Sequence, residues 1–191
     1  SYTNNKGELL QPNAKPGDIK FVDVNGDGVI DGNDRDYIGN PLPDVTAGLT
    51  LGVNFHNFDL SLFFQGMFGN DVYDLTRYVG DFYNQSQYNK NSRVVNAWTP
   101  TNTNTDIPRV TMDDPNNNIR PSSYYVQDAS FVRLKNMKIG YSVPQSILSK
   151  IKFNSLYIYA QATNLFTITG YDGIDPEVGL QSYSIDYRNL D

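Results

Sequence analysis

Between Val45 and Phe68 the sequence alternates so strictly that it admits one local structure. Val45, Ala47, Leu49, Leu51, Val53 and Phe55 are all apolar, and Thr46, Gly48, Thr50, Gly52 and Asn54 between them are small or polar. A period of two residues is the period of a β-strand whose two faces meet different surroundings. After His56 and Asn57 a second run begins. Phe58, Leu60, Leu62, Phe64 and Phe68 share one parity with Gly66; Asp59, Ser61 and Gln65 take the other, joined by Phe63 and Met67. A two-residue turn at 56–57 sets the register. Phe55 then faces Phe58, Val53 faces Leu60, Leu51 faces Leu62 and Leu49 faces Phe64, with all of them on one side of the hairpin. His-Asn is a less typical turn pair than Asn-Gly, although Asn tolerates the left-handed region.

A face this uniformly apolar has to be hidden from water, by a protein core or by lipid. Each run is 11 residues long, close to the roughly 9–11 residues with which a tilted strand crosses a bilayer and beyond the usual ~5–6 of globular proteins. The small residues opposite suit a wide lumen better than a packed core. The pattern therefore favours lipid. The mean hydropathy of −0.49 does not oppose this, because alternating strands cancel in the average. No stretch approaches the roughly 18 apolar residues of a membrane helix. The first twenty residues hold no apolar run of the signal-peptide kind, and a start at Ser1 suggests a mature or truncated chain.

The rest of the chain alternates between loops and strands. Residues 1–43 read as loop, rich in Gly, Pro, Asn and Asp. Residues 69–123 form a long polar stretch with the clusters NQSQYNKN, TPTNTNTD and DDPNNN, some local helix near Val72–Tyr78, and a sequon at Asn84. A third strand is expected over about Tyr124–Val143. Val132 and Leu134 are apolar on one parity, while Met137, Ile139, Tyr141 and Val143 are apolar on the other. That switch near Asn136 implies a β-bulge or a strand that leaves the membrane. Pro144 stops the strand, 145–152 is a short link, and a fourth strand covers about Phe153–Thr167. The tail, 170–191, is loop-like. Connections thus alternate short and long, as in barrels with short periplasmic turns and long extracellular loops. Four strands cannot close a barrel, for which bacterial proteins use at least about eight. The expected organisation is an extracellular loop over 1–43, then barrel strands and loops over 44–191, as one piece of a larger sheet.

One motif carries sharp chemistry. Residues 23–34 read DVNGDGVIDGND. Numbered as a calcium loop, Asp23, Asn25, Asp27, Asp31 and Asp34 supply side-chain oxygens, Val29 supplies its carbonyl, Gly28 sits at the sharp turn and Ile30 is the apolar anchor. Calcium takes about 6–8 hard oxygen ligands, which this spacing can converge; Ca²⁺ is expected ahead of Mg²⁺. The last acid is Asp rather than a bidentate Glu, and no amphipathic helix precedes Asp23, so the expected role is structural. Other chemistry is thin. His56 is the single histidine and Cys is absent, which excludes disulfides and Cys-based sites. Acid pairs such as Asp113-Asp114 or Asp175/Glu177 are the bare minimum for a glycosidase and more often belong to a solvated surface. Trp98, Tyr78, Tyr83, Tyr88, Tyr124 and Tyr125 are candidates for stacking on sugars or for loop packing. A net charge of −6 excludes a basic nucleic-acid footprint. No enzyme constellation is present.

Several segments, in order, resemble one family. They are PGDIKFVDVNGDGVIDGNDRDYIGNPLPDVTAGL, FDLSLFFQGMFGNDVYD, NAWTPTNTNTDIPR, YVQDASFVRLKNMKIGYSVP and LYIYAQATNLFTITGYDGIDPEV. Together they are similar to the C-terminal part of SusC/RagA-type TonB-dependent outer-membrane receptors. The resemblance implies antiparallel strands of a transmembrane β-barrel of about 22 strands with a plug in the bacterial outer membrane. It implies a SusD-like surface lipoprotein as partner, energy from TonB through an N-terminal region outside this chain, and oligosaccharide or peptide cargo. The family's final strand would lie beyond Asp191. The competing expectation is a secreted calcium-binding β-sandwich that binds glycans. A dockerin-like module is disfavoured because it needs two calcium loops.

Overall fold

The computed structural model describes residues 2–83 and 89–177. The Asn84 sequon, Tyr88 and the tail from Val178 onward lie outside the described residues. Four long strands dominate: β1 (Val45–Phe55), β2 (Phe58–Phe68), β5 (Phe131–Ser142) and β6 (Tyr157–Thr169), with the short β3 (Asp71–Tyr73) and β4 (Val126–Asp128) between them. The four form one antiparallel sheet in the order β1-β2-β5-β6, and β3 pairs with β4 in a second sheet. Short helices α1 (Leu75–Gly80) and α2 (Gln145–Leu148) complete the regular elements. No described helix is long and apolar enough to cross a membrane.

The β1–β2 hairpin has the register that its alternation demands: Phe55 opposite Phe58, Val53 opposite Leu60, Leu51 opposite Leu62, Leu49 opposite Phe64. The turn departs from expectation in one detail. The left-handed residue is His56, at φ 54°, and not Asn57.

The parity switch in the third strand is a bulge. On β2, Phe63 and Phe64 are consecutive, yet their partners on β5 are Asn136 and Leu134, so Lys135 is extra. On β6 the same level holds Thr163 and Phe166 as partners of Asn136 and Leu134, with Asn164 in the left-handed region at φ 50°. The consequence follows from counting. Met137 and Ile139 lie on the same side as Leu62 and Leu60, and beyond the bulge Leu134 and Val132 lie on the same side as Phe64 and Gly66. An unbroken strand would instead have turned Lys135 and Arg133 onto the apolar face. The expected third strand is also shorter than its alternation suggested: Ser123–Tyr125 is a 3-10 turn and β5 begins at Phe131.

The apolar face is bare in this chain. Leu49, Leu51, Val53, Phe55, Phe58, Ile139, Ile158, Phe166 and Ile168 are all exposed, Phe55 to 67%. Keeping a large apolar side chain in water forgoes roughly 1.5–3 kcal/mol, so this face represents on the order of 10–30 kcal/mol, more than the ~5–15 kcal/mol by which folded domains are stable. Something apolar must cover it.

The chain divides into two compact units. One joins the residues up to Gly39 with Tyr73–Val126, and the other joins Asn40–Val72 with the described residues from Gln127 on. The second is the strand unit. The first has almost no regular structure and is held by polar ties across long sequence separations. Asp18 is the hub. Its side chain is 1% exposed and meets the Arg109 guanidinium at 2.7 Å. Asn118 donates to the same Asp18 oxygen, Oδ1, at 2.9 Å and accepts the Ile19 N–H at 2.9 Å. Phe82, Ile119 and Tyr125 form the apolar core beside it, flanked by Ile19, Tyr73, Tyr78 and Tyr124. Removing one member of a buried ion pair leaves the other uncompensated, at about 3–5 kcal/mol. Asp18→Ala is therefore expected to lower the stability of this unit by about that much, read as faster hydrogen exchange at the Ile19 and Arg109 amides with the β1–β2 amides unchanged.

Candidate functional site

Residues 23–34 form a knot of side-chain to backbone hydrogen bonds. Gly26 and Gly28, both at positive φ, bring their N–H groups to the two Asp23 oxygens at 2.7 and 2.9 Å. Asp27 N–H donates to Asn25 Oδ1, and Val29 N–H donates to Asp27 Oδ1, each at 2.9 Å. The Asn25 amide reaches Asp27 Oδ2 at 2.9 Å. In the second half Asp31 and Asp34 cap each other across the 3-10 turn Gly32–Asp34. Asp34 Oδ1 accepts the Val24 N–H at 2.8 Å and ties the end of the loop to its start. The N–H of Asp31 is the main cause that holds the Asp34 carboxyl below its usual range; desolvation opposes it, and the N–H groups of Val24 and Asn25 add smaller lowering contributions.

The spacing DxNxDG thus does locally what its residues can do: short acids accept N–H groups one turn on, and glycines supply the tight reversals. The donor set is chemically that of a hard cation, and each carboxylate keeps lone pairs beyond those its N–H bonds use. The gathering of acids is absent. Among the described residues no group of three or more His, Cys, Asp or Glu is placed to hold a metal ion. Asn25 and Asp27 are hydrogen-bonded to each other, Asp23 takes the Gly26 and Gly28 N–H groups, Asp31 and Asp34 cap each other, and Val29 is exposed.

The remaining candidates have structural work. Asp114 is buried and accepts the N–H groups of Asn118 and Ile119 at 2.8 and 3.1 Å, so it shapes a turn. Asp175 and Glu177 are ion-paired to Arg133. Trp98 packs against Gly17, where φ is +88° and an added Cβ would collide with the indole. Tyr78, Tyr124 and Tyr125 lie in the core around Phe82 rather than on a free platform. Burial, and for Tyr124 also the bond to Asp81, keeps both of these last phenols un-ionised far above neutral pH. Tyr83 stays exposed at the surface, with Lys90 above its ring. The polar ties of Asp18 and Asp81 carry no sequence period and were not readable from spacing.

With this geometry in place, similarity to known proteins becomes informative. No protein-family model matches the chain. The chain is 39% identical over 180 residues to TonB-dependent receptor P3 of Formosa agariphila, covering 94% of this chain and 17% of that protein. It is 30% identical over 174 residues to TonB-dependent receptor SusC of Bacteroides thetaiotaomicron, covering 90% of this chain and 16% of that protein. Among solved structures, the RagAB peptide importer in its closed-closed state superposes with a TM-score of 0.65 at 30% identity, over 83% of this chain and 18% of that one. The chain therefore spans about one-sixth of the length of the curated relatives it matches.

The Tyr124 hydroxyl donates to Asp81 at 2.6 Å, and the Asp81 side chain is 1% exposed. A hydrogen bond to a buried charge contributes roughly 1.5–3 kcal/mol. Tyr124→Phe is expected to destabilise the loop unit by about that amount, measured as a lower denaturation midpoint for the Tyr125 amide. A Tyr124 that served only to contact cargo would leave the midpoint unchanged.

Proposed function

Because the chain belongs to the SusC/RagA-type TonB-dependent receptors, we propose that it supplies adjacent strands to the barrel wall of an outer-membrane nutrient importer and has no catalytic role. One observation carries the reading: four strands of 11 to 13 residues keep a single apolar face through a bulge, and that face is bare. Strand length matches a tilted crossing of a bilayer, and lipid is the cover that needs no further protein layer. The polar face, with Thr46, Thr50, Asn54, Ser61, Gln65, Gln161 and Thr163, then lines the lumen. A barrel of about 22 strands leaves room for a plug and for cargo. The long connections over 1–43 and 69–123 stand on the extracellular side, where they meet a SusD-like lipoprotein lid. TonB acts through the part of the receptor that precedes this segment. A sandwich would need a second sheet over the apolar face, and among the described residues the only other sheet has two short strands.

Cargo is an oligosaccharide or a peptide. The superposed RagAB structure is that of a peptide importer. The deciding experiment is growth of a strain deleted for the intact receptor gene, on oligosaccharides or on peptides as the limiting nutrient. The reading predicts loss of growth on one of these, restored by the intact receptor and not by a receptor lacking 45–169. Undiminished growth and uptake of both classes would count against import.

The loop at 23–34 is proposed to take Ca²⁺ ahead of Mg²⁺ through Asp23, Asn25, Asp27, Asp31, Asp34 and the Val29 carbonyl. The ion would rigidify the loop and have no part in transport chemistry. Added Ca²⁺ is expected to slow protease cleavage within 23–34 several-fold, and a chelator to restore the rate. Asp27→Ala is expected to abolish that difference and to leave the strands intact. Equal cleavage rates with and without chelator in the unaltered receptor would exclude the ion.

A further inference from the structure

Arg133 projects from β5 on the polar face of the sheet, and its side chain is only 6% exposed. Its donors are taken on three sides. Nε donates to the Thr167 hydroxyl on β6 at 2.7 Å, Nη1 to Glu177 Oε2 at 2.7 Å and Nη2 to Asp175 Oδ1 at 2.6 Å. Lys135 adds a second cation. Its Nζ meets both Glu177 oxygens, at 2.9 and 2.8 Å. The Glu177 N–H closes back on Asp175 Oδ1 at 2.9 Å, so the Asp-Pro-Glu turn presents both acids together.

The bulge gives this cluster its position. Lys135 is the residue left out of the β2–β5 register. Without it, Met137 and Ile139 on the apolar face would carry Lys135 and Arg133 onto that face as well. With it, both cations stand on the polar side within reach of one carboxylate. The partners differ in kind from the anchor. Asp175 and Glu177 are 34% and 35% exposed and belong to the stretch that leaves β6 after Thr169, which has no regular secondary structure. A buried guanidinium gripping half-open acids on an irregular segment is a fastening, whereas a core ion pair would have both members enclosed. Burial pushes the Asp175 carboxyl up, yet the Arg133 hydrogen bond, the Glu177 N–H and the charges of Arg133 and Lys135 outweigh it and keep the acid ionised.

We propose that Arg133 and Lys135 anchor a releasable strap, closed in this structure, in which Asp175 and Glu177 hold residues 171–177 against the polar face of β5 and β6. The strap determines whether the chain leaving β6 lies along the sheet or swings away from it. When it opens, the Arg133–Lys135 pair is uncovered on the polar face.

The test uses the intact receptor in outer-membrane vesicles, in a background without other reactive thiols. A nitroxide is attached at Ile174→Cys, a position 93% exposed in the closed strap, and a second sample carries it at Val53→Cys on β1. The unaltered receptor is expected to give a slow, largely single-component spectrum at position 174. Asp175→Asn with Glu177→Gln is expected to raise the mobile fraction there at least several-fold, and Lys135→Met to raise it less. Both are expected to leave the label at position 53 unchanged. A spectrum at 174 that is the same in the doubly neutralised variant would overturn the strap. So would a rise at 53 equal to that at 174, because it would mean general loosening of the barrel.

Discussion

The structure depends on one constraint: the main apolar series of the four long strands, running from Leu49, Leu51, Val53 and Phe55 through Leu60, Leu62 and Phe64 to Met137, Ile139, Ile158, Phe166 and Ile168, must end on the same face of the sheet. A one-residue slip in any strand reverses its faces, and here the penalty would be severe. A slip in β1 alone would exchange Leu49, Leu51, Val53 and Phe55 for Gly48, Thr50, Gly52 and Asn54. The hairpin meets the constraint through its two-residue turn, with Phe55 paired to Phe58. β5 meets it by a different device. Its sequence is out of phase with itself, and the extra residue at Lys135 restores the phase. A bulge sacrifices ladder hydrogen bonds locally, and it is tolerated because the alternative is a lysine and an arginine on the apolar face. Burying an unpaired charge is far costlier than one unmade backbone bond.

The loop unit solves the opposite problem. It has few apolar residues to bury, so it relies on carboxylates and carboxamides that each hold several partners. Asp18 is held by Arg109 and Asn118, Asp74 caps α1, Asp81 takes Tyr124 and Asn91, and Asp114 takes two backbone N–H groups. Polar networks of this kind specify a single arrangement when every member is satisfied. That is how a stretch reading as a low-complexity run of Asn and Thr acquires a defined shape.

What was legible in the sequence follows from the range of the interaction. Alternation is local, so the two strands around His56-Asn57, their register and the phase change near Asn136 could be read residue by residue. The fourth strand was placed correctly but begins later, at Tyr157, because Phe153–Leu156 belong to the link after α2. The pairing of β2 with β5 across the long loop is not local, and no pattern in the sequence marks it. The ties from Asp18 to Arg109 and from Asp81 to Tyr124 span many residues with no period to betray them. Tyr78, Tyr124, Tyr125 and Trp98 could be named as aromatic candidates, yet only coordinates separate a sugar platform from a packed core. The loop at 23–34 is intermediate. Its residue types and glycines dictated the observed Asx turns, whereas the converged set of acids that its spacing suggested is not formed among the described residues.

In the proposed barrel wall the apolar face meets lipid and the opposite face meets water. Nitroxides placed singly at Gly48, Leu49, Thr50, Leu51, Gly52 and Val53 of the intact receptor in membranes would test it, read by accessibility to oxygen and to a water-soluble nickel chelate. The account predicts a two-residue alternation, with oxygen favoured at Leu49, Leu51 and Val53 and the chelate favoured at Gly48, Thr50 and Gly52. Uniform accessibility along the strand, or low accessibility to both reagents at Leu49, Leu51 and Val53, would contradict it, because the apolar face would then be covered by protein.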